Sequence, residues 1–211
     1  MPNAPVHVID DDAGVRDALQ FLFESAGLPV RSYDSALAFI DQIGANGTGC
    51  VLTDVHMPGF DGIALLRRLT ELGLDLPVIV MTGHADVPLA VQALKEGAVD
   101  FIEKPFDDER LLAAVQAALA AGRRRRQEAA ELDALSARLA SLTPREHEVL
   151  GGLVAGHPNK TIAYDLGASP RTIEVHRARV MEKMQARSLP DLVRMVLAIE
   201  RAAQGKKSRA T

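Results

Sequence analysis

The chain has 211 residues, of which 47% are hydrophobic and 25% charged, a composition typical of globular proteins. Its apolar stretches fall short of the roughly 20 residues that cross a bilayer, and its first residues lack the features of a signal peptide. The single cysteine, Cys50, excludes an intrachain disulfide and a multi-cysteine zinc site. We therefore expect a cytoplasmic protein with one large or two small domains.

Charge is distributed unevenly between the two halves of the chain. Residues 1–120 contain 18 acidic and 7 basic residues, a net charge of −11, whereas residues 121–211 contain 10 and 17, a net charge of +7. An acidic module joined to a basic one indicates that only the second contacts nucleic acid. Ordinary variation in surface charge is the alternative explanation.

Short β-branched runs alternate with longer helical patterns over the first 120 residues. Strands are expected near 5–9, 29–33, 49–53, 77–81 and 99–102. Helices are expected near 13–26, 35–43, 62–72, 86–96 and 107–120. This alternation predicts an α/β doubly wound sheet of five parallel strands, and right-handed crossovers then bring the carboxyl ends of all strands to one edge.

Polar side chains follow the ends of four expected strands. Asp10 and Asp11 come after the first, Asp54 after the third, Thr82 after the fourth and Lys104 after the fifth. Because these ends line the crevice in which open parallel sheets bind ligands, we expect the side chains to share one pocket. Turn or capping roles for the acidic residues, and a surface position for Lys104, are the simpler alternatives.

Such a pocket suits a divalent cation and a phosphoryl group. Asp10, Asp11 and Asp54 would repel one another unless a cation lies among them, and their oxygen atoms favour Mg²⁺. Asp54 can be the nucleophile that accepts a phosphoryl group as an acyl phosphate. Lys104 and the metal would stabilise charge on the transferring oxygens, and Thr82 would offer them a hydroxyl group.

Two other enzyme classes are disfavoured by residue spacing. A dinucleotide site requires a Gly-x-Gly-x-x-Gly turn after the first strand, whereas residues 10–14 read Asp-Asp-Asp-Ala-Gly. Aspartyl hydrolases of the haloacid dehalogenase class use an Asp-x-Asp pair at the nucleophile, but His56 stands where the second aspartate would be.

The set of Asp10-Asp11, Asp54, Thr82 and Lys104-Pro105 resembles the receiver domain of two-component response regulators, over about residues 1–120. The resemblance implies that a sensor histidine kinase phosphorylates Asp54. It implies that Asp11, Asp54 and the main-chain carbonyl of His56 hold Mg²⁺, in the acidic pocket that Asp10 completes.

Further features follow from the same resemblance. It implies a cis peptide bond before Pro105, which an X-Pro bond tolerates. Thr82 and Phe101 would rearrange when the aspartate is phosphorylated, although Phe101 also fits a plain strand core residue. His56 and His84 occupy the positions that tune the lifetime of the phosphoryl group.

The resemblance also implies that the fourth helix and fifth strand form a dimer face. Helical spacing alone indicates only that some of these residues are core. The residues expected on this face are Pro88, Val91, Gln92, Lys95 and Val99.

Residues 121–140 are rich in Ala, Glu and Arg and are expected to form a helical linker. Its leucines at 132, 135, 139 and 142 have a 3–4–3 spacing, too short a repeat for a coiled coil and more typical of one amphipathic helix. The arginines at 123–126 either contact DNA phosphates or form a solvated helix face.

The second half of the chain has the signals of a helix-turn-helix domain. Thr143–Glu146 reads as a capping box with Pro144 at the first helical position. Asn159 is expected to cap a short second helix, and Gly167 to make the tight turn before the third. The four helices of this all-α domain are expected to begin near Pro144, Asn159, Pro170 and Ser188.

The third of these helices has an apolar stripe and an opposite polar face at about 100° per residue. We expect Ile173, Val180 and Met184 to face the core and the opposite face to enter the major groove of DNA. A charged helical bundle that binds protein is the alternative. An RNA-binding domain would need an aromatic stacking platform, and Tyr164 is the only aromatic residue of this half.

The polar face offers both base-reading and phosphate-binding groups. Val175 and Ala178 can contact thymine methyl groups, and Glu174 can accept a hydrogen bond from cytosine. Basic side chains on and near this helix would chiefly contact phosphates. The expected DNA-binding residues are Asn159, Lys160, Arg171, Thr172, Glu174, Val175, Arg177, Ala178, Arg179 and Lys183.

Three segments of this half, Leu142–Glu146, Asn159–Ala163 and Ser169–His176, resemble the LuxR-type output domain. With the receiver, and with the stretches Met81–Pro88 and Gly97–Phe106, the chain resembles a FixJ-type two-component response regulator. That resemblance implies a DNA-binding transcriptional activator, not an enzyme, that answers to a FixL-like sensor histidine kinase and contacts RNA polymerase. It further implies oxygen-responsive control of nitrogen-fixation or microaerobic genes.

The expected organisation is a receiver domain at 1–120, a helical linker at 121–140, a LuxR-type domain at 141–205 and a disordered basic tail at 206–211. Our hypothesis is that phosphorylation converts a monomer into a homodimer and releases the DNA-binding domain. The alternatives are a FixJ-like regulator of an unrelated signal, an aspartyl-phosphate phosphotransferase and a protein-interaction adaptor.

Overall fold

The structure is a computed structural model that describes residues 4–45, 47–83 and 87–209, with the backbone alone at 87 and 205–209. The chain divides into two compact units, Met1–Arg126 and Gln127–Thr211.

The first unit is built on a five-stranded parallel sheet with the order β2-β1-β3-β4-β5. Neighbouring residues on each strand point to opposite faces, so the sheet separates two hydrophobic clusters. The prediction of a doubly wound α/β sheet is confirmed. The strands are β1 (Val6–Ile9), β2 (Val30–Tyr33), β3 (Cys50–Asp54), β4 (Val78–Thr82) and β5 (Asp100–Glu103).

Helices cover both faces of the sheet. Leu19 and Phe23 of α1 and Leu111 and Val115 of α5 lie in one cluster, while α2, α3 and α4 contribute to the other. The helices are α1 (Ala13–Ser25), α2 (Ala36–Ile43), α3 (Gly62–Glu71), α4 (Val87–Lys95) and α5 (Asp108–Ala140).

Helix α5 combines the helix expected at 107–120 with the helical linker expected at 121–140, and the linker is helical as predicted. It runs without a break through the expected linker, because 108–140 contain no proline and are rich in strong helix formers. Gly122 is buried against Pro77, and Arg125 forms an ion pair of 2.9 Å with Asp75. Arg125 is nevertheless exposed, as are the neighbouring arginines 123 and 124, which fits the expected solvated helix face.

The second unit is helical, with α6 (Pro144–Val154), α7 (Asn159–Asp165), α8 (Pro170–Met184) and α9 (Leu189–Arg209). The capping box of Thr143 and Glu146 is confirmed. The backbone is helical up to Arg209, which differs from the disordered tail expected at 206–211; helix propagation through good helix formers such as Lys206 and Lys207 accounts for this. Residues 210–211 lie outside the described part of the chain.

Candidate phosphorylation site and nucleic-acid interface

The ends of the parallel strands bring three carboxylates into one cleft. Asp10 and Asp11 follow β1 and Asp54 ends β3, and a ligand atom from each lies within 4.8 Å of the others. Lys104 follows β5, and its Nζ is 3.6 Å from Oδ1 of Asp54. These four residues come from three separate stretches of the chain and share one site because their strands lie in one parallel sheet.

Asp10 forms the buried floor of this cleft and is 1% exposed. Its Oδ2 accepts a hydrogen bond of 2.7 Å from Nζ of Lys104, and its Oδ1 accepts one of 2.9 Å from the backbone N–H of Asp12. Asp11, by contrast, is exposed at the mouth of the cleft. Asp10 is thus held by protein donors, which makes Asp11 and Asp54 the better placed groups for direct contact with a cation.

Asp54 is 8% exposed, and its Oδ1 accepts a hydrogen bond of 3.0 Å from the backbone N–H of Val55. Burial raises the pKa of its carboxyl above the ordinary range, and the charge of Asp10 adds to this; the nearby Lys104 opposes both effects. The ionised carboxylate is therefore poorly stabilised by the protein alone. An additional cation would lower this cost, and a set of hard oxygen donors fits Mg²⁺.

The loop after β1 is fixed by groups on α1. The Asp12 side chain caps α1 by accepting from the N–H groups of Gly14 and Val15, at 2.7 and 3.2 Å. Nη1 of Arg16 donates a hydrogen bond of 2.7 Å to the main-chain carbonyl of Asp10. The sequence analysis did not identify Arg16; its position, one turn into the helix that follows an acidic strand end, was the available signal.

The remaining expected receiver residues lie around the same edge. Thr82 ends β4 and is fully buried, and its carbonyl accepts from the N–H of Lys104 at 2.7 Å. His56 is exposed in the loop after β3, and Phe101 is partly buried against the core. The Lys104–Pro105 bond is cis, as expected. His84 lies outside the described residues.

The expected dimer face is exposed in the isolated chain. Pro88, Gln92 and Lys95 are exposed, and Val91 and Val99 are each 44% exposed. The structure adds a further apolar side chain that the sequence analysis did not include, Leu94, which is 52% exposed on α4. Three exposed apolar side chains, Val91, Leu94 and Val99, thus lie on α4 and immediately before β5.

Helix α8 has the two faces that its sequence predicts. Ile173, Val180 and Met184 are fully buried, which confirms the expected core stripe. The other face carries Val175, which is 48% exposed, together with an exposed polar and basic set. The exposed members of the expected DNA-binding set are Lys160, Arg171, Thr172, Glu174, Val175, Ala178 and Arg179.

Four members of the expected DNA-binding set are engaged within the second unit, including the exposed Thr172, whose Oγ1 lies 2.8 Å from Oγ of Ser169. Nζ of Lys183 lies 2.7 Å from Oε2 of Glu146, a residue 2% exposed, and 3.2 Å from the carbonyl of Ser141. Asn159 does not cap α7 but is its first residue, with Oδ1 accepting at 3.4 Å from Arg177. Lys183 is thus paired with Glu146 in this structure, because a buried carboxylate needs a cationic partner; a phosphate contact would compete with that ion pair.

Across the described ranges, no helix is both long enough and apolar enough to span a membrane.

Comparison with known proteins identifies both units. Residues 6–116 match the model of the response regulator receiver domain, and residues 140–196 match that of the bacterial regulatory proteins of the luxR family. The transcriptional regulatory protein FixJ of Azorhizobium caulinodans is 56% identical over 199 residues, which cover 93% of this chain and 94% of that protein.

Solved structures agree with this assignment. The response regulator StyR is 39% identical with a TM-score of 0.85, covering 92% of this chain and 98% of the other. Full-length FixJ from B. japonicum is 50% identical with a TM-score of 0.60, covering 95% and 98%. The chain therefore belongs to the FixJ-type response regulators: it is a transcription regulator that combines a receiver domain with a LuxR-type DNA-binding domain.

Proposed function

We propose that the receiver is switched by transfer of a phosphoryl group to Asp54. An Asp54 carboxylate oxygen forms the new bond to phosphorus as the bond to the phosphodonor breaks, and the electron pair leaves with the donor, the imidazole of a sensor histidine kinase. The observation that carries this proposal is the position of Asp54 within 4.8 Å of Asp10 and Asp11, with Lys104 at 3.6 Å.

Each residue of the cleft has a separate task in this proposal. Mg²⁺, held by Asp11, Asp54 and the main-chain carbonyl of His56, supplies positive charge when bound. Lys104 offers a second cation to the phosphoryl oxygens, and Thr82 a hydroxyl group. Asp10 orients Lys104 through their 2.7 Å ion pair. Thr82 and Phe101 change position once the phosphoryl group is present, and His56 and His84 tune its lifetime.

A labelling experiment tests this step. Incubation of the full chain with acetyl phosphate and Mg²⁺ should add one phosphoryl group per chain, which mass spectrometry should locate on Asp54. The variant Asp54→Asn should not be labelled there, and Asp61→Asn, which changes an exposed helix cap, should be labelled normally. Many turnovers per chain would instead favour the alternative of a phosphotransferase or phosphatase.

We further propose that phosphorylation causes two receivers to associate through α4 and β5. Support comes from the exposed apolar side chains Val91, Leu94 and Val99 in this region. The variant Val91→Arg should prevent dimerisation of the phosphorylated chain in sedimentation experiments. Leu37→Arg, which places the same charge on an exposed apolar position of α2, should not. Equal dimerisation of both variants would contradict this face.

The second unit binds DNA, in this proposal, with α8 in the major groove. Support comes from the exposure of Glu174, Val175 and Ala178 on the face opposite the buried stripe. Glu174→Ala should change base preference more than affinity, as selection from a random DNA pool would measure. Glu200→Ala, an exposed acidic residue on α9, is the matched control and should keep the original preference.

The finer biological role is also proposed. The chain would be a cytoplasmic activator that answers to a FixL-like histidine kinase, releases its DNA-binding domain on phosphorylation and recruits RNA polymerase. The relationship to FixJ favours oxygen-responsive control of nitrogen-fixation or microaerobic genes, with an unrelated signal as the alternative. Transcript profiles of the cell with and without the gene, each at high and low oxygen, should differ only at low oxygen.

A further inference from the structure

We infer that Arg16 is a positioning residue for the phosphorylation cleft. It lies one turn into α1, outside the set of acidic, hydroxyl and lysine groups described above. Its guanidinium is partly buried, and Nη1 donates a hydrogen bond of 2.7 Å back to the main-chain carbonyl of Asp10. The inference deepens the proposed function, because it concerns how the same cleft holds a divalent cation.

Asp10 is held by hydrogen bonds on all of its polar groups, and Arg16 supplies one of these bonds. The Asp10 N–H donates to the carbonyl of Tyr33 at 3.2 Å, and its two carboxylate oxygens accept from Asp12 and Lys104. Its carbonyl, the last polar group, accepts from Arg16. The backbone at Asp10 is thus tied on one side to the sheet and on the other to α1.

This tie controls the direction in which Asp11 points. Asp11 is exposed and follows Asp10 directly, so the orientation of the peptide group between them decides whether its carboxylate faces Asp54. Arg16 holds the carbonyl of that peptide group. A charged, planar donor is suited to this task, because charge-assisted hydrogen bonds are short and strong and the guanidinium is rigid.

The charge of Arg16 and its hydrogen bond have opposite effects on the affinity of the cleft for a cation. A guanidinium hydrogen-bonded to the main-chain carbonyl of Asp10 adds positive charge beside the cleft and opposes cation binding, so removing its charge alone would tighten the site. Removing a group that orients a ligand weakens the site, commonly by 10- to 100-fold for partners just outside the ligand set. The sign of the change therefore separates positioning from simple charge.

The experiment is a calorimetric titration of the full chain with MgCl₂. Arg16→Ala should weaken Mg²⁺ binding by about tenfold. Arg16→Lys, which keeps a donor and the charge, should recover part of the affinity, and Arg68→Ala, which removes an equal charge from an exposed pair with Glu71, should not weaken it. Tighter binding by Arg16→Ala, or an equal loss with Arg68→Ala, would overturn the inference.

A second readout separates positioning from general damage to the fold. Labelling of Arg16→Ala by acetyl phosphate should be slow at low Mg²⁺ and return to the rate of the unaltered chain at saturating Mg²⁺. Labelling that stays slow at saturation would also overturn the inference. If the unaltered chain itself binds no Mg²⁺, the proposed function fails rather than the role of Arg16, so the two failures are distinguishable.

Discussion

The carboxylate of Asp54 is the group whose environment is most at odds with its charge. It is 8% exposed and lies beside Asp10, and its pKa is raised chiefly by burial. A raised pKa means that ionisation costs stability in the folded state as pH rises above the ordinary value of 3.8. The folded receiver is therefore less stable with Asp54 ionised than with a neutral side chain at this position.

Replacement of Asp54 by Asn should accordingly stabilise the protein in the absence of divalent cations. The melting temperature at neutral pH should rise by a few degrees, because the uncompensated charge is gone. The gain should vanish as pH falls below about 4, where the carboxyl is neutral in the folded and unfolded states alike. Calorimetry in EDTA measures both, and a less stable Asn variant at neutral pH would contradict the electrostatic account.

Glu146 is also a buried carboxylate, but its pKa is lowered rather than raised. Its hydrogen bonds with Lys183 and with the backbone of Thr143 lower its pKa to about 2. Because the folded-state pKa is depressed, the pair contributes stability that is complete above the ordinary value of 4.5 and is lost as pH falls toward about 2. Glu146 thus supports the domain rather than serving as a reactive group.

The variant Glu146→Gln should lose this contribution. Its second unit should melt at a lower temperature at neutral pH, and the difference from the unaltered chain should shrink as pH falls from about 4.5 toward about 2. Adding Lys183→Met should restore part of the loss, because the unpaired ammonium is then removed as well. A pH-independent difference would show that hydrogen bonding, not charge, stabilises this pair.

At the scale of elements, local sequence patterns predicted the strands and helix starts that depend on neighbouring residues. Alternation and turn residues located all five strands, and the capping box located the start of α6. The sequence predicts helix at 107–120 and a helical linker at 121–140, but not that the two form one continuous helix, because Gly122 could equally have ended the first. The Lys183–Glu146 pair was missed because its partners lie 37 residues apart. From the sequence alone, a basic residue on α8 fits a DNA phosphate as well as it fits a carboxylate of the same domain.

Two adjacent glycines of α6 give a matched test of how the helices of the second unit pack. A Cβ at Gly151 would meet open space, whereas one at Gly152 would meet Cγ1 and Cδ1 of the buried Ile162 at 2.7 and 2.9 Å. Gly151→Ala should stabilise the unit by about 0.5–1 kcal/mol through helix propensity. Gly152→Ala should destabilise it by about 1–3 kcal/mol through overpacking.

Denaturant unfolding of the full chain, followed by the signal of the second unit, measures both changes. The opposite signs are the diagnostic feature, since both substitutions add one methyl group to the same helix. Equal effects at the two positions would mean that α6 does not pack on α7 through Gly152 and Ile162.

For the whole molecule, the acidic and basic halves of the chain correspond to the receiver domain and the DNA-binding domain. The acidic half carries the cleft of Asp10, Asp11 and Asp54, and the basic half carries the exposed face of α8. The sequence predicted this arrangement because each unit has its own motifs. It did not predict which basic residues are available to DNA, because that depends on partners brought together only by folding.

Salt dependence should separate the available basic residues from the engaged ones. Each phosphate contact contributes about one unit to the slope of the logarithm of affinity against that of salt concentration. Arg171→Ala, at an exposed residue of α8, should reduce that slope by about one. Lys183→Met should leave it unchanged, because its ammonium binds Glu146. Fluorescence anisotropy at several salt concentrations measures the slope for each variant. An equal loss of slope in the two variants would mean that Lys183 also contacts a DNA phosphate.

The most direct measurement is footprinting of the full chain on genomic DNA, with and without acetyl phosphate and Mg²⁺, alongside Asp54→Asn. We expect discrete protected sites to appear for the unaltered chain when the phosphodonor is added, and the variant to leave those sites open under the same conditions. Sites occupied equally by Asp54→Asn and by the unaltered chain in response to the phosphodonor would contradict the claim that a phosphoryl group on Asp54 governs DNA binding.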